Sequence, residues 1–450
     1  MSSDTAAVHG GRVVLDADAR ELFRLLSPVG DDSRIKLVDV SAWRVLFVAR
    51  LAAVVQDGDL LVVRTWAPRT VRRLLVRHGL TARTYVLAPT FAHARRATPI
   101  APSPARAQPS LRSAIGRLSV WLQARAAVGR TFTVVVLATR GAEVGQWISA
   151  LVEVGNGYPS LVATISWRGR AGGATAVIGK TAGAQRFLKI AFDAARADRL
   201  RREHDRLSTV AVAASQATVT TPTPFGVREA DGMLFLVEGI VEGRPAAALP
   251  PAAIGPLLDD VADWLATWHE STLTLSSGPE AASDLVRLAR DLDLDPAYES
   301  WLRGLGARLP QVVPRVAVHR DLTMWNVLVA SRTRAIGVVD WEDAAPAGAP
   351  LSDLFYVTVD AEFAHGRHDR RIAAFDAVFP HARTVVGAAC TRAVQRLALD
   401  RAVVRCAFHE TWLRHATNER VGSSGPGGFE RIVLERLAVH PELYPWGQHS

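Results

Sequence analysis

Four polar residues interrupt the apolar stretch "VAVHRDLTMWNVLV" (316–329): His319, Arg320, Asp321 and Asn326. Asp321 and Asn326 stand five apart in what reads as a loop between two strand-like runs. Asp340 follows at the end of "IGVVD". Two carboxylates and a carboxamide are hard oxygen donors, suited to Mg²⁺ rather than to zinc. Phosphoryl transfer asks for such a set. One carboxylate accepts the proton of an attacking hydroxyl, while an Asn and a second Asp hold Mg²⁺ on the phosphates. A lone D-x-x-x-x-N is usually only a hydrogen-bonded turn. H-R-D-L-x-x-x-N with a strand-terminal Asp downstream is far more specific.

Lysine is rare in this chain, with Lys36, Lys180 and Lys189 set against 50 Arg. Lys180 ends "GGATAVIGKT" (172–181), which imitates a phosphate loop. The imitation fails on spacing, because Ala174 stands where the first Gly is needed. "TAVI" also suits a strand better than a loop whose amides wrap a phosphate. Lys189 lies inside the strand-like "RFLKIAF", and Glu203 follows on the helical "LRREHDRL".

"HRDLTMWNVLV", "GVVDWEDA" and "PLSDLF" (350–355) together resemble the aminoglycoside phosphotransferase and choline kinase group, small-molecule kinases of protein-kinase-like fold. The resemblance is clearest over 316–356, extends more weakly from 160 to 440, and leaves residues 1–130 outside. It implies that Asp321 is the catalytic base, that Asn326 and Asp340 hold Mg²⁺, and that His319 and Asp353 brace the loop. It further implies that Lys189 binds the ATP phosphates and pairs with Glu203. Gly172 and Gly173 in "RGRAGGAT" would turn over the phosphates, and "FLVEGIVEG" would be the hinge, with backbone groups near Glu238 and Ile240 facing adenine. Arg320 after His319 matches protein kinases, where many small-molecule members carry Gly. Trp341 and Glu342 after the metal Asp, and the lack of an A-P-E-type segment, favour a small-molecule kinase.

The elements that must position these residues fall into two patterns. From 131, apolar runs ("TFTVVVLAT", "WISALVEV", "SLVATISW", "TAVIG", "RFLKIAF") separated by Gly-containing turns suggest an antiparallel sheet. From 251 the chain becomes largely helical. The expected fold class is α+β: a two-lobed protein-kinase-like fold with a β-rich N-lobe over 131–240 and a helical C-lobe over 241–450. A small α/β region (1–96) precedes it, with "ARELFRLL" helical and "LLVVRTW" and "ARTYVLAP" strand-like. "VLFVARLAAVV" (45–55) reads as a buried strand or helix. A Pro-rich linker and a basic amphipathic helix fill 97–130. "RHGLTARTYVLAPT" (77–90) resembles the end of a methyltransferase-like domain only faintly, and no Gly-rich cofactor loop lies upstream.

The charge is uneven. Residues 1–150 carry 21 Lys and Arg against 10 Asp and Glu, and 60–142 hold 14 Arg with no acidic residue. Such a block asks for an anionic neighbour. Candidates are the acidic segment 259–299, a phosphate-bearing ligand, a polyanion or a membrane surface. No specific nucleic-acid recognition is predicted. Two cysteines, and an opening segment without a basic and apolar leader, suit a cytoplasmic protein, peripheral at a membrane if the Arg block docks there. The expected activity is ATP- and Mg²⁺-dependent phosphorylation of a small-molecule hydroxyl on a sugar, amino alcohol or aminoglycoside-like compound. The alternatives are a kinase-shaped binding or regulatory protein and an envelope-polysaccharide biosynthesis component docked through the Arg-rich front.

Overall fold

A computed structural model describes residues 15–31, 33–40, 45–65, 67–88, 90–100, 133–151, 162–166, 173–179, 185–216, 220–330, 333–363, 371–379, 385–420 and 427–443. The chain forms two compact units, one of residues 1–201 with 225–240, the other of 202–224 with 241–450. Three expectations lie outside the described residues: the linker beyond residue 100, the basic amphipathic helix, and Gly172.

The first unit begins with helix α1 (Ala17–Leu26), capped by Asp16, whose carboxylate accepts the Ala19 amide at 2.8 Å. Strand β1 (Ile35–Val40), helix α2 (Val45–Val54) and strand β2 (Leu60–Thr65) follow, so the apolar 45–55 run is a helix. Next come helix α3 (Pro68–Arg77) and strands β3 (Thr81–Ala88), β4 (Arg96–Pro99) and β5 (Thr133–Thr139). After helix α4 (Gln146–Leu151), the strands are β6 (Val162–Ser166), β7 (Gly173–Gly179) and β8 (Gln185–Ala191). Helix α5 (Ala194–Gln216) crosses the division, and β9 (Pro224–Ala230) and β10 (Met233–Gly239) complete the unit.

All ten strands form one sheet in the order β1-β2-β5-β3-β4-β6-β7-β8-β10-β9. β1 and β2 run parallel, while the antiparallel pairs carry the expected kinase-like segment from β6 to β10. The sequence reading set β5 apart from the front region at 130/131. In the structure β5 lies between β2 and β3, with Leu61 opposite Ala138 and Tyr85 opposite Val135. Its apolar run lacks alternation because both faces are covered. Val135 and Leu137 join a core with α1, Tyr85 and Phe235, while Val136 and Ala138 pack with Val48 of α2 and Val71 and Leu75 of α3.

"WISALVEV", expected as a strand, begins as helix α4 instead. Ile148 is buried, and Trp147 meets Phe235 edge-on at 5.6 Å, contacts that a short helix supplies without ladder bonds. The Arg block is partly neutralised within this unit: Arg83 pairs with Glu143, Arg95 with Asp18, and Arg140 donates to the carbonyls of Val55 and Ala52. The carboxylates of 259–299 have arginines of their own unit, Asp259 with Arg392, Glu270 with Arg396 and Glu299 with Arg290, so the expected role for that segment gives way to local pairing.

In the second unit, β11 (Arg244–Pro245) leads to helix α6 (Ile254–Thr272), β12 (Thr274–Ser277), helices α7 (Gly278–Asp291) and α8 (Pro296–Gly306), and strand β13 (Val312–Val318). Then follow β14 (Val327–Val329), β15 (Ile336–Val338), β16 (Ala345–Gly348) and helices α9 (Ser352–Phe363), α10 (Arg371–Val378), α11 (Val385–Arg396), α12 (Arg401–Arg420) and α13 (Gly428–Ile432). The helices bury one large core that includes Trp268, Trp341, Phe355, Phe408 and Trp412. Two three-stranded sheets, β12-β13-β16 and β11-β14-β15, lie with it. The mixed α+β class is therefore present, β-rich in the first unit and helix-rich in the second. Among the described residues no helix is long and apolar enough to cross a membrane.

Gly243 enters β11 at φ +151°, where a Cβ would stand 2.9 Å from the Val329 amide nitrogen. Gly255, inside α6, has open space at its Cβ position. Gly243→Ala should lower stability by about 1–3 kcal/mol, whereas Gly255→Ala should be neutral or stabilising. Urea midpoints of the two variants check this, and equal midpoints would contradict the crowding at Gly243.

Candidate active site

The loop 319–326 leaves β13 and enters β14, strands of different sheets, so it must cross from one small sheet to the other. Buried Asp353, near the start of α9, holds its entry: its two carboxylate oxygens accept the amides of His319 at 2.7 Å and Arg320 at 2.8 Å. Arg320 is held there at φ +66°, costly for a residue with a Cβ. His319 is fully enclosed; its Nε2 donates to the Val339 carbonyl at 3.0 Å, and its Nδ1 accepts the Asp321 amide at 3.3 Å. Burial lowers its pKa, so it serves as a neutral brace.

Asp321 follows. Tyr356 donates its hydroxyl to Asp321 Oδ1 at 3.2 Å, and Asn326 Nδ2 donates to Oδ2 at 3.1 Å and to the Asp321 carbonyl at 2.8 Å. With its amide hydrogens spent on Asp321, Asn326 has its carbonyl oxygen to offer a cation. The Val339 amide donates to the Asn326 backbone carbonyl at 3.0 Å, which ties the loop to the strand exit that leads to Asp340. Asp340 itself adopts φ +70°.

Asp340, Glu342 and Glu203 each bring a carboxylate oxygen within 4.8 Å of the others. Glu203 is completely buried on α5. Three carboxylates this close suit a hard divalent cation, and the donor set fits Mg²⁺. Arg206, also on α5, flanks the cluster, donating to the Glu342 carbonyl and lying 4.0 Å from Asp343. Burial first, then the charges of Asp340 and Asp343, push the Asp321 carboxyl up to about 7.

The remaining expected residues stand on the sheet of the first unit. Lys189 is buried on β8, opposite Thr175 of β7 and Leu236 of β10. Glu238 is buried opposite Phe187, and Ile240 is exposed just past β10. Gly173 begins β7, where a Cβ would meet the Ile190 carbonyl oxygen at 3.0 Å. Glu342, Tyr356 and Asp343 were not among the site residues expected from the sequence. Glu342 was legible as an acid two places from Asp340, but nothing linear marks Tyr356.

Residues 166–384 match the model of the phosphotransferase enzyme family. The match spans just under half of the chain. Solved structures of phosphotransferases are similar at low identity. Aminoglycoside phosphotransferase APH(3'')-Id from Streptomyces rimosus is 23% identical, covering 53% of this chain and 89% of its own, with a TM-score of 0.32. Macrolide 2'-phosphotransferase MphH from Brachybacterium faecium is 16% identical over 64% and 93%, with a TM-score of 0.38. A thermostable mutant of APH(4)-Ia, in a ternary complex with AMP-PNP and hygromycin B, is 13% identical over 61% and 91%, with a TM-score of 0.40. No curated protein matches the chain.

The raised Asp321 pKa sets a pH dependence for stability. Between the ordinary 3.8 and about 7 the native carboxyl keeps a proton that the unfolded one has lost, so native stability falls as pH rises through that window. Asp321→Asn removes the penalty. In chelator it should be more stable than the parent by about 1–4 kcal/mol at pH 8, and by much less at pH 5. Urea unfolding at the two pH values measures the difference, and an equal gain at both would contradict a desolvated Asp321.

Proposed function

We propose that this protein transfers the terminal phosphoryl group of ATP, with Mg²⁺, to a hydroxyl group of a small molecule. The carrying observation is the Asp321 carboxylate, held in place by Tyr356 and Asn326 with Asp340 nearby. A carboxylate fixed in this way can accept the proton of a hydroxyl placed against it. In this reading Asp321 takes the proton of the acceptor hydroxyl as its oxygen bonds to phosphorus and the bond to the leaving phosphate oxygen breaks. Asn326 and Asp340, with Glu203 or Glu342 beside them, would hold Mg²⁺, which neutralises phosphate charge. Lys189 would bind the phosphates, Gly173 would allow their close approach, and Glu238 and Ile240 would face adenine through their backbone.

The acceptor class is read from what surrounds the base. Trp325, next to Asn326, is 62% exposed, an unusual place for the largest side chain. An exposed indole beside a catalytic loop offers a stacking face for a ring. Asp360 and Glu362 on α9 add negative charge on the same helix as Tyr356, which suits a cationic ring such as an amino sugar.

Asp321→Asn should lower phosphoryl transfer by about 10²–10⁴-fold while thermal stabilisation by Mg·ATP persists, and Asp340→Ala should abolish that stabilisation. A consumption screen of Mg·ATP across sugars, amino alcohols and aminoglycosides supplies the acceptor. Lack of any stabilisation by Mg·ATP would end this reading. Trp325→Ala should raise KM for ring-bearing acceptors about 3–10-fold with kcat nearly constant, while leaving open-chain amino alcohols unaffected.

A further inference from the structure

Where the loop leaves β13, a pocket is lined by Arg320, Ser352, Asp353, Glu410, Arg414 and His415, among others. Its two carboxylates are already engaged. Asp353 accepts the His319 and Arg320 amides, and Glu410 accepts Arg315 at 2.9 Å and Arg414 at 2.9 Å. Three guanidiniums thus gather around two satisfied carboxylates, an excess of positive charge in a largely buried place. Two buried donors in the lining, Arg320 Nε and Ser352 Oγ, lack a hydrogen-bond partner. Buried donors of this kind are normally satisfied. Ser352 also opens the twelve-residue helix α9, whose first-turn amides favour negative charge.

We propose that this pocket binds a small tetrahedral oxyanion, sulfate or inorganic phosphate, through Arg320, Ser352 and Arg414. The anion supplies acceptors for the two orphaned donors and offsets the surplus cation. Burial and the Arg414 charge lower the Arg320 pKa to about 10, the direction expected of an under-compensated guanidinium. Occupancy acts on the neighbouring loop through α9: Asp353 holds His319 and Arg320, Tyr356 reaches Asp321, and Asp360 accepts the Met324 amide at 2.6 Å. His415 extends the pocket towards Tyr356, stacking on its ring at 4.0 Å. The site does not depend on the proposed kinase activity.

The test is thermal unfolding of the full chain, without nucleotide, in sodium sulfate, inorganic phosphate or glycerol phosphate, each matched in ionic strength with sodium chloride. Sulfate and inorganic phosphate should each raise Tm saturably, by about 2–4 °C, beyond chloride. Lys189→Ala should keep the rise, which separates this pocket from any nucleotide-phosphate site. Ser352→Ala and Arg414→Met should each lose most of it. A rise with glycerol phosphate as well widens the ligand to phosphomonoesters, and a rise with the free ions alone restricts it to them. Should Arg414→Met fail to fold, Ser352→Ala with anomalous density from bound selenate in crystals decides. No rise beyond chloride means that water fills the pocket. That outcome overturns the proposal, as does a rise lost in Lys189→Ala and kept in Ser352→Ala.

Discussion

The grip of Asp353 on two successive amides is the constraint on which the site depends. A carboxylate that accepts from both His319 and Arg320 leaves the chain one way forward, through a left-handed Arg320, and that turn delivers Asp321. The grip is rigid because Asp353 belongs to a helix. Tyr356 and Asp360 lie three and seven residues further along, on the same face, and reach Asp321 and the Met324 amide. One helical face thus fixes the loop at three points. Val339 closes it from the other side, giving its amide to Asn326 and its carbonyl to His319, so Asn326 and the exit to Asp340 are tied together.

That rigidity serves an arrangement that is electrostatically unfavourable by itself. Asp321 feels Asp340 and Asp343 in a place poor in water, and Glu203 is buried beside Asp340 and Glu342. A chain selected only for stability would not crowd carboxylates in this way. The left-handed conformations of Arg320, Asp340 and Leu351 cluster at the same place. Strain and like charge concentrated together are more common at functional sites than in purely structural turns.

The loop residues were legible because they are written linearly. His319, Asp321 and Asn326 fall within eight residues, and Asp340 follows shortly after the next strand but one, so they could be singled out together before any contact was known. Contacts made by helical periodicity across long separations were not. Tyr356 stands 35 residues from Asp321, in a helix whose sequence gives no sign of which face meets the loop. Glu342 was visible but had no reason to be chosen until Glu203 was found beside it. In the fold, apolar runs were read correctly as buried, yet burial does not distinguish a strand from a helix. "WISAL" went to the helix because Trp147 and Ile148 pack on the sheet, not within it.

The least legible feature, the place of β5, changes how the front of the chain is understood. With β5 between β2 and β3 and β4 paired to β6, the front strands and the later strands form one sheet. Beneath that sheet a single apolar cluster runs from Leu22 and Phe23 of α1 through Tyr85 and Leu137 to Ile190 and Phe235. Ile190 is the residue after Lys189, and Phe235 precedes Lys189's cross-strand neighbour Leu236. The side chains that flatten and anchor β8 are therefore packed in part by residues outside the matched family segment. The front strands continue the sheet that carries Lys189, and the apolar face of α1 shares a core cluster with Ile190 of β8.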